Sequence, residues 1–357
     1  MSVFEISNEA IAQELSDFQN KLASGAANLA VMKELPSGVT PHDVVFERDK
    51  LRLLRYRGNP THKQNDKRNK TPLLIVYSLI NRYYMTDLSD RRSMVKGLLE
   101  AGQDVYLIDW GYPDAGDRFT TLGDYLNGAI DACVDDICHR HSIAKINMLG
   151  ICQGGTLSLC YGTLHTAKIR NLVTIVTPVD FHVPDFMLSH WAKNIDADQL
   201  VDSLGNIPGA MLSALFLSLK PYGTVSKYMG MIDIMDDASA LKDFMQIEKW
   251  IYDSPDHVGE TFRQFLKDFA QENKWVDGTL EIGHDVVDLQ KITMPVLNIY
   301  AEKDHLVPPA SSKALGGLIA SDDYSELSFD GGHVGPFVSS RAQKIIPPAI
   351  SKWLDSK

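Results

Sequence analysis

Apolar residues at Ile11, Leu15, Phe18 and Leu22 recur at i, i+4, i+7 and i+11 among polar neighbours. This spacing predicts an amphipathic helix from Ser7 to Gly25, with the glycine expected to stop it. Two β-like runs follow, around Val44–Phe46 and at Leu51–Tyr56. The stretch Arg57–Thr71 is polar, basic and unpatterned, and reads as an exposed loop. Beyond it the rhythm changes. Leu73–Tyr77, Val105–Ile108, Ile146–Leu149 and Leu172–Val176 are short, apolar and rich in β-branched residues, with helical stretches at Ser89–Ala101 and Thr121–His139 between them. Continuous apolar strands separated by helices imply a parallel sheet covered on both faces, because an exposed antiparallel sheet would alternate polar and apolar positions.

From about Phe181 to Gln290 the rhythm stops. Irregular helices are expected there, at Ala210–Leu219, Ala238–Ile251 and Glu260–Glu272 among others. It returns with the strand Val296–Ala301, a helix near Ser311–Ile319, the strand Ser325–Phe329 and a final helix over Ser340–Leu354. The expected organisation is a doubly wound α/β core in two parts, residues 1–180 and 291–357, with residues 181–290 inserted as a helical cap. Methionines in the cap, including Met211, Met229, Met231, Met235 and Met245, read as adaptable packing.

Composition narrows the function. The 357 residues are 44% hydrophobic and 23% charged, ordinary for a globular chain. The 46 Asp and Glu outnumber 35 Lys and Arg, for a net charge of −11, which argues against general nucleic-acid binding. No run of 18 apolar residues occurs, and MSVFEISNEA lacks a basic-then-apolar signal, so neither a membrane span nor secretion is expected. Four clustered cysteines (Cys133, Cys138, Cys152 and Cys160) make no disulfide framework, pointing to a reducing cytoplasm. No Cys/His spacing suggests zinc, and no metal is expected.

The chemistry concentrates after the strand Ile146–Leu149, in Gly150-Ile151-Cys152-Gln153-Gly154-Gly155. This is the G-x-S-x-G elbow of the α/β-hydrolase fold with cysteine in the serine position. A nucleophile in a strand-to-helix turn needs glycines around it, since side chains there would strike neighbouring strand and helix. The following helix directs its N-terminus at the sulfur, favouring thiolate and a developing oxyanion. A glycine-rich turn around an inert cysteine is the plainer reading; the partners downstream weigh against it. Asp304, after the strand Val296–Ala301, is the expected acid, with Glu302 as fallback. His333, between glycines after Ser325–Phe329, is the expected base, with His305 as competitor. The order nucleophile, acid, histidine is that of the hydrolases. Backbone N–H groups of Gln153 and of Ile80, in the loop after Leu73–Tyr77, are the expected oxyanion hole. Cys133, Cys138 and Cys160 read as structural.

Cysteine suits acyl transfer between thioesters: an acyl group moved from coenzyme A to Cys152 keeps its transfer potential, and attack by an alcohol is then downhill. The motifs GICQGG around Cys152, YAEKDHLVPP around Asp304 and GGHVGPFVS around His333 resemble those of the polyhydroxyalkanoate synthases, as do YSLINRYYMTDL (Tyr77–Leu88) and YLIDWGYPD (Tyr106–Asp114). The short chain and the Ile-Cys-Gln elbow resemble class III catalytic subunits more than the related class IV enzymes. The resemblance implies polymerisation of (R)-3-hydroxyacyl-CoA, most often 3-hydroxybutyryl-CoA, through a Cys152 thioester, with His333 and Asp304 completing the catalytic set. It implies no cofactor beyond the coenzyme A released from substrate. It also implies a helical second subunit (PhaE), homo- or hetero-oligomers and a place on cytoplasmic polyester granules. No coenzyme-binding residue is assigned; the basic run Arg48–Lys70 reads as a solvated loop. The rivals are an acyl-CoA thioesterase or dienelactone-hydrolase-like cysteine hydrolase, and a non-catalytic granule scaffold, which would lack a triad member.

Overall fold

The computed structural model describes residues 7–32, 35–58 and 71–357; residues 59–70 of the expected loop lie outside them. The first helix, α1, runs over Asn8–Val31, past the glycine expected to end it. Gly25 is buried there, and a Cβ on it would stand 2.4 Å from Met235 Cε. The glycine thus serves close approach to the cap, and packing offsets its poor helix propensity of about 1 kcal/mol. The apolar stripe Ile11, Leu15, Phe18 and Leu22 is 37–57% exposed, so it is not the face that joins the core.

Eight strands form one sheet: β1 (His42–Arg48), β2 (Leu51–Tyr56), β3 (Leu73–Val76), β4 (Val105–Asp109), β5 (Ile146–Ile151), β6 (Ile169–Ile175), β7 (Val296–Ala301) and β8 (Tyr324–Phe329). Their spatial order is β1-β2-β4-β3-β5-β6-β7-β8. The β1–β2 and β2–β4 pairs are antiparallel and the remaining pairs parallel. Every residue of β3, β4 and β5 is buried, as the unbroken apolar runs predict. One face packs on α3 (Asp131–His141) and α4 (Gln153–Leu164), the other on α2 (Met94–Glu100) and the last helix (Ser340–Asp355). The helix expected from Ser89 begins only at Met94. Buried Asp87 accepts Ser93 Oγ at 2.5 Å and the Val39 and Thr40 N–H groups at 2.9 and 2.7 Å, holding Asp87–Ser93 in a small hairpin.

Between β6 and β7 lie α5 (Met187–Ala192), α6 (Ala197–Leu204), α7 (Gly209–Ser218), α8 (Pro221–Asp233), α9 (Ala238–Tyr252) and α10 (Gly259–Gln264). The end of α9 grips the loops after β3 and β4. Trp250 Nε1 donates to Arg82 O at 2.7 Å, and the Tyr84 and Tyr112 hydroxyls donate to Asp253 at 2.8 and 2.7 Å. Parallel register aligns the strand ends: Ile151 pairs with Ile175, and Ala301 with Phe329. Everything just beyond β5, β7 and β8 therefore gathers at one sheet edge beneath these helices.

Candidate active site

Cys152 is the residue that turns β5 into α4. Its φ of 53° lies in the left-handed region, a strained conformation for a side-chain-bearing residue, and its N–H donates to Ile175 O at 2.9 Å. The glycines are there for space. A Cβ on Gly154 would lie 2.2 Å from Val76 O, and one on Gly155 1.8 Å from Thr177 Oγ1. Only hydrogen fits at either position.

Asp304 is placed by the turn after β7 and is 6% exposed. Its Oδ1 accepts the Leu306 and Val307 N–H groups, both at 2.9 Å, which leaves Oδ2 for His333 Nδ1 at 2.7 Å. Cys152 and His333 line the same cavity, and the sulfur is near enough to be among the groups that raise the ring's pKa. The three residues expected to act together thus stand beside one another. Glu302 is exposed on the other side of the turn. His305 borders the same cavity, but its buried Nδ1 has no hydrogen-bond partner among the described residues, and burial lowers its pKa.

Burial opposes charge on His333, but the Asp304 carboxylate and the neighbouring Cys152 sulfur outweigh it and push the ring pKa up to about 10. A ring this receptive to a proton can take the one on the thiol beside it. The folded chain therefore keeps a proton here from about pH 6.5, where an unfolded histidine loses it, up to about pH 10. The stabilisation is complete below that range and is lost as pH rises through it. Ring NMR of His333 is expected to show the protonated form persisting well above pH 8, and Asp304→Asn should return the midpoint to about 6.5 or below. A wild-type midpoint near 6.5 would contradict the pairing.

As the first residue of α4, Gln153 has an N–H with no carbonyl one turn earlier to accept it. Ile80 lies on the same cavity wall, with its N–H donating to Ser78 Oγ at 3.0 Å. The cavity, about 400 Å³, runs from Cys152 under the cap between mostly apolar side chains such as Phe181, Phe186, Leu212, Phe216 and Leu266. The other thiols are remote from it: Cys133 and Cys160 are buried in the core, burial raising both pKa values, Cys133 to about 12. Three cavity residues were not singled out as site residues by the sequence. Tyr77 ends a strand-like run, while Trp250 and His257 fall where only irregular helix is legible.

Comparison with known proteins places the chain in a family. A family model described as alpha/beta hydrolase fold matches residues 71–339, and one described as the N-terminus of poly-beta-hydroxybutyrate polymerase (PhaC) matches residues 8–98. The poly(3-hydroxyalkanoate) polymerase subunit PhaC of Allochromatium vinosum is 53% identical over 361 residues, covering 100% of both chains. The chain belongs to the PhaC family of poly(3-hydroxyalkanoate) polymerases. The PhaC of Thiocystis violacea is 52% identical, again over 100% of each chain. Among solved structures, an alpha/beta hydrolase fold protein from Chitinophaga pinensis superimposes with a TM-score of 0.51, covering 90% of this chain and 99% of its own at 12% identity, a likeness of fold alone. Membership in PhaC makes the chain an acyl-transferring synthase on the α/β-hydrolase fold, as the motifs imply. Among the described residues, no helix is long and apolar enough to cross a membrane.

Proposed function

We propose that this chain takes the acyl group of an (R)-3-hydroxyacyl-CoA, chiefly 3-hydroxybutyryl-CoA, onto Cys152 and passes it to a second hydroxyl, building polyester and releasing coenzyme A. The observation that carries this reading is a thiol at the elbow that shares an apolar cavity with a hydrogen-bonded His333–Asp304 pair. With the thiol's proton already held on His333, the Cys152 sulfur attacks the thioester carbonyl as thiolate. The carbon–sulfur bond to coenzyme A breaks, and the departing thiolate takes that proton from His333, leaving the ring neutral. The 3-hydroxyl of another unit then attacks the acyl-Cys152 carbonyl. An ester forms, the bond to Cys152 breaks, and the hydroxyl proton passes through His333 to the freed sulfur. The apolar cavity favours alcohol over water as acceptor.

The developing oxyanion is held by the Gln153 N–H and, once Ser78 Oγ turns away, by the Ile80 N–H. Coenzyme A leaves as product, so no resident cofactor is required. The relatives' names include "subunit", which supports a PhaE-like helical partner; the insoluble product supports work at a granule surface. Purified chain given 3-hydroxybutyryl-CoA should release thiol while turbidity rises, and the helical partner should increase both rates. Thiol release without turbidity would make the enzyme a hydrolase. Equal rates with and without partner would remove the second subunit from the scheme.

A further inference from the structure

His257 is a buried, titratable side chain with no part in the mechanism above. It is 1% exposed and stands between α9 and α10, its backbone clamped by two 2.8 Å hydrogen bonds exchanged with Ile207. Its ring packs edge-on against Phe262 at 5.5 Å between centroids. The contact that matters runs to the residue after the nucleophile: Gln153 Nε2 and His257 Nε2 are 3.1 Å apart.

The proton positions follow from the neighbours. The Leu79 N–H lies 3.2 Å from one end of the Gln153 amide, and an N–H must face an oxygen, so that end is Oε1. The other end is the NH₂ group, which needs an acceptor, so His257 Nε2 carries no hydrogen. The ring hydrogen is then on Nδ1, which donates to Val258 O at 3.2 Å. Burial agrees, lowering the ring pKa to about 4 against the raising effect of the Val258 carbonyl. Gln153 Oε1 also receives Ser78 Oγ at 3.5 Å, and Ser78 Oγ receives the Ile80 N–H at 3.0 Å. One chain of hydrogen bonds thus leads from the cap to the loop that carries the second oxyanion donor.

We propose that His257 is a positioning residue: as a neutral acceptor it fixes the Gln153 side chain, which through the Leu79 N–H holds the Ser78–Ile80 backbone where the oxyanion forms and leaves Ser78 Oγ free to turn. Seating of the cap and assembly of the oxyanion site are thereby one event. The proposal rests on the oxyanion reading given above.

The test uses the full chain with its helical partner and 3-hydroxybutyryl-CoA. His257→Phe keeps the ring volume and removes the acceptor; it should lower kcat about 10- to 100-fold with KM changed less than about threefold. His257→Gln, whose Oε1 reaches the place of Nε2, should recover kcat to within about threefold at equal thermal stability. Gln153→Met, which keeps the backbone N–H, should match His257→Phe, and combining the two should add less than about twofold. Unchanged kcat in His257→Phe, full kcat in Gln153→Met, no recovery in a folded His257→Gln, or losses that multiply would each overturn the proposal. If His257→Phe does not fold, the Gln153→Met and His257→Gln results decide. Cys152→Ala run alongside separates the two levels: turnover in that variant sinks the site reading itself, whereas an inert Cys152→Ala with an unaffected His257→Phe sinks only the positioning role.

Discussion

Cys152→Ala is expected to release no measurable coenzyme A from 3-hydroxybutyryl-CoA, a loss on the order of 10⁴-fold or more, because covalent capture has no substitute when the attacking atom is gone. The fold should survive. The strained φ of 53° belongs to the turn, and alanine bears the same Cβ as cysteine. Cys152→Ser is the sharper variant. Its hydroxyl is far less acidic than a thiol and its acyl adduct is an ordinary ester that gives up its acyl group more slowly than a thioester, so turnover should fall by about 10²-fold or more. Cys133→Ala and Cys160→Ala remove thiols that burial keeps protonated and far from the cavity, and should keep most activity while costing about 1 kcal/mol of stability each. Thiol release measured across the four variants decides the matter. Substantial turnover by Cys152→Ala, or loss in the Cys160 variant with its fold intact, would displace Cys152 as nucleophile.

Asp304→Asn is expected to divide the reaction. With the carboxylate replaced, His333 loses the charge that raises its pKa, while the amide keeps much of the shape. A thiol gives up its proton with little help, its ordinary pKa being about 8.5, whereas an alkyl hydroxyl is many orders of magnitude less acidic. The weakened base should therefore slow the first capture, read as single-turnover thiol release, by about tenfold. Chain growth should fall by about 10²–10⁴-fold. In the proposed mechanism Asp304 acts through His333 rather than on substrate, a role supported by a side chain that is 1% exposed and by two oxygens already engaged. Growth unchanged in the variant, with first capture abolished, would contradict that order of sensitivity.

Local chemistry made much of this molecule legible from the chain alone. The apolar runs at Leu73, Val105, Ile146 and Val296 read as buried strands because nothing but a sheet covered on both faces accommodates them. The elbow at Cys152 was legible because Gly154 and Gly155 stand where any Cβ would collide with β3 or Thr177. The pairing of Asp304 with His333 was legible from their places after late strands, a rule of topology readable in sequence order. Tertiary structure decided what distant segments do to one another. The α1 helix passes Gly25 because Met235, 210 positions later, fills the space of the missing side chain. Asp304 rather than Glu302 meets the histidine because the turn after β7 buries one carboxylate and turns the other to solvent. His257 meets Gln153 only through the fold of the cap, and no periodicity or spacing encodes a contact between residues 104 positions apart. Sequence patterns report the burial and backbone freedom of each residue; partners brought together by chain folding are set by packing summed over the whole core.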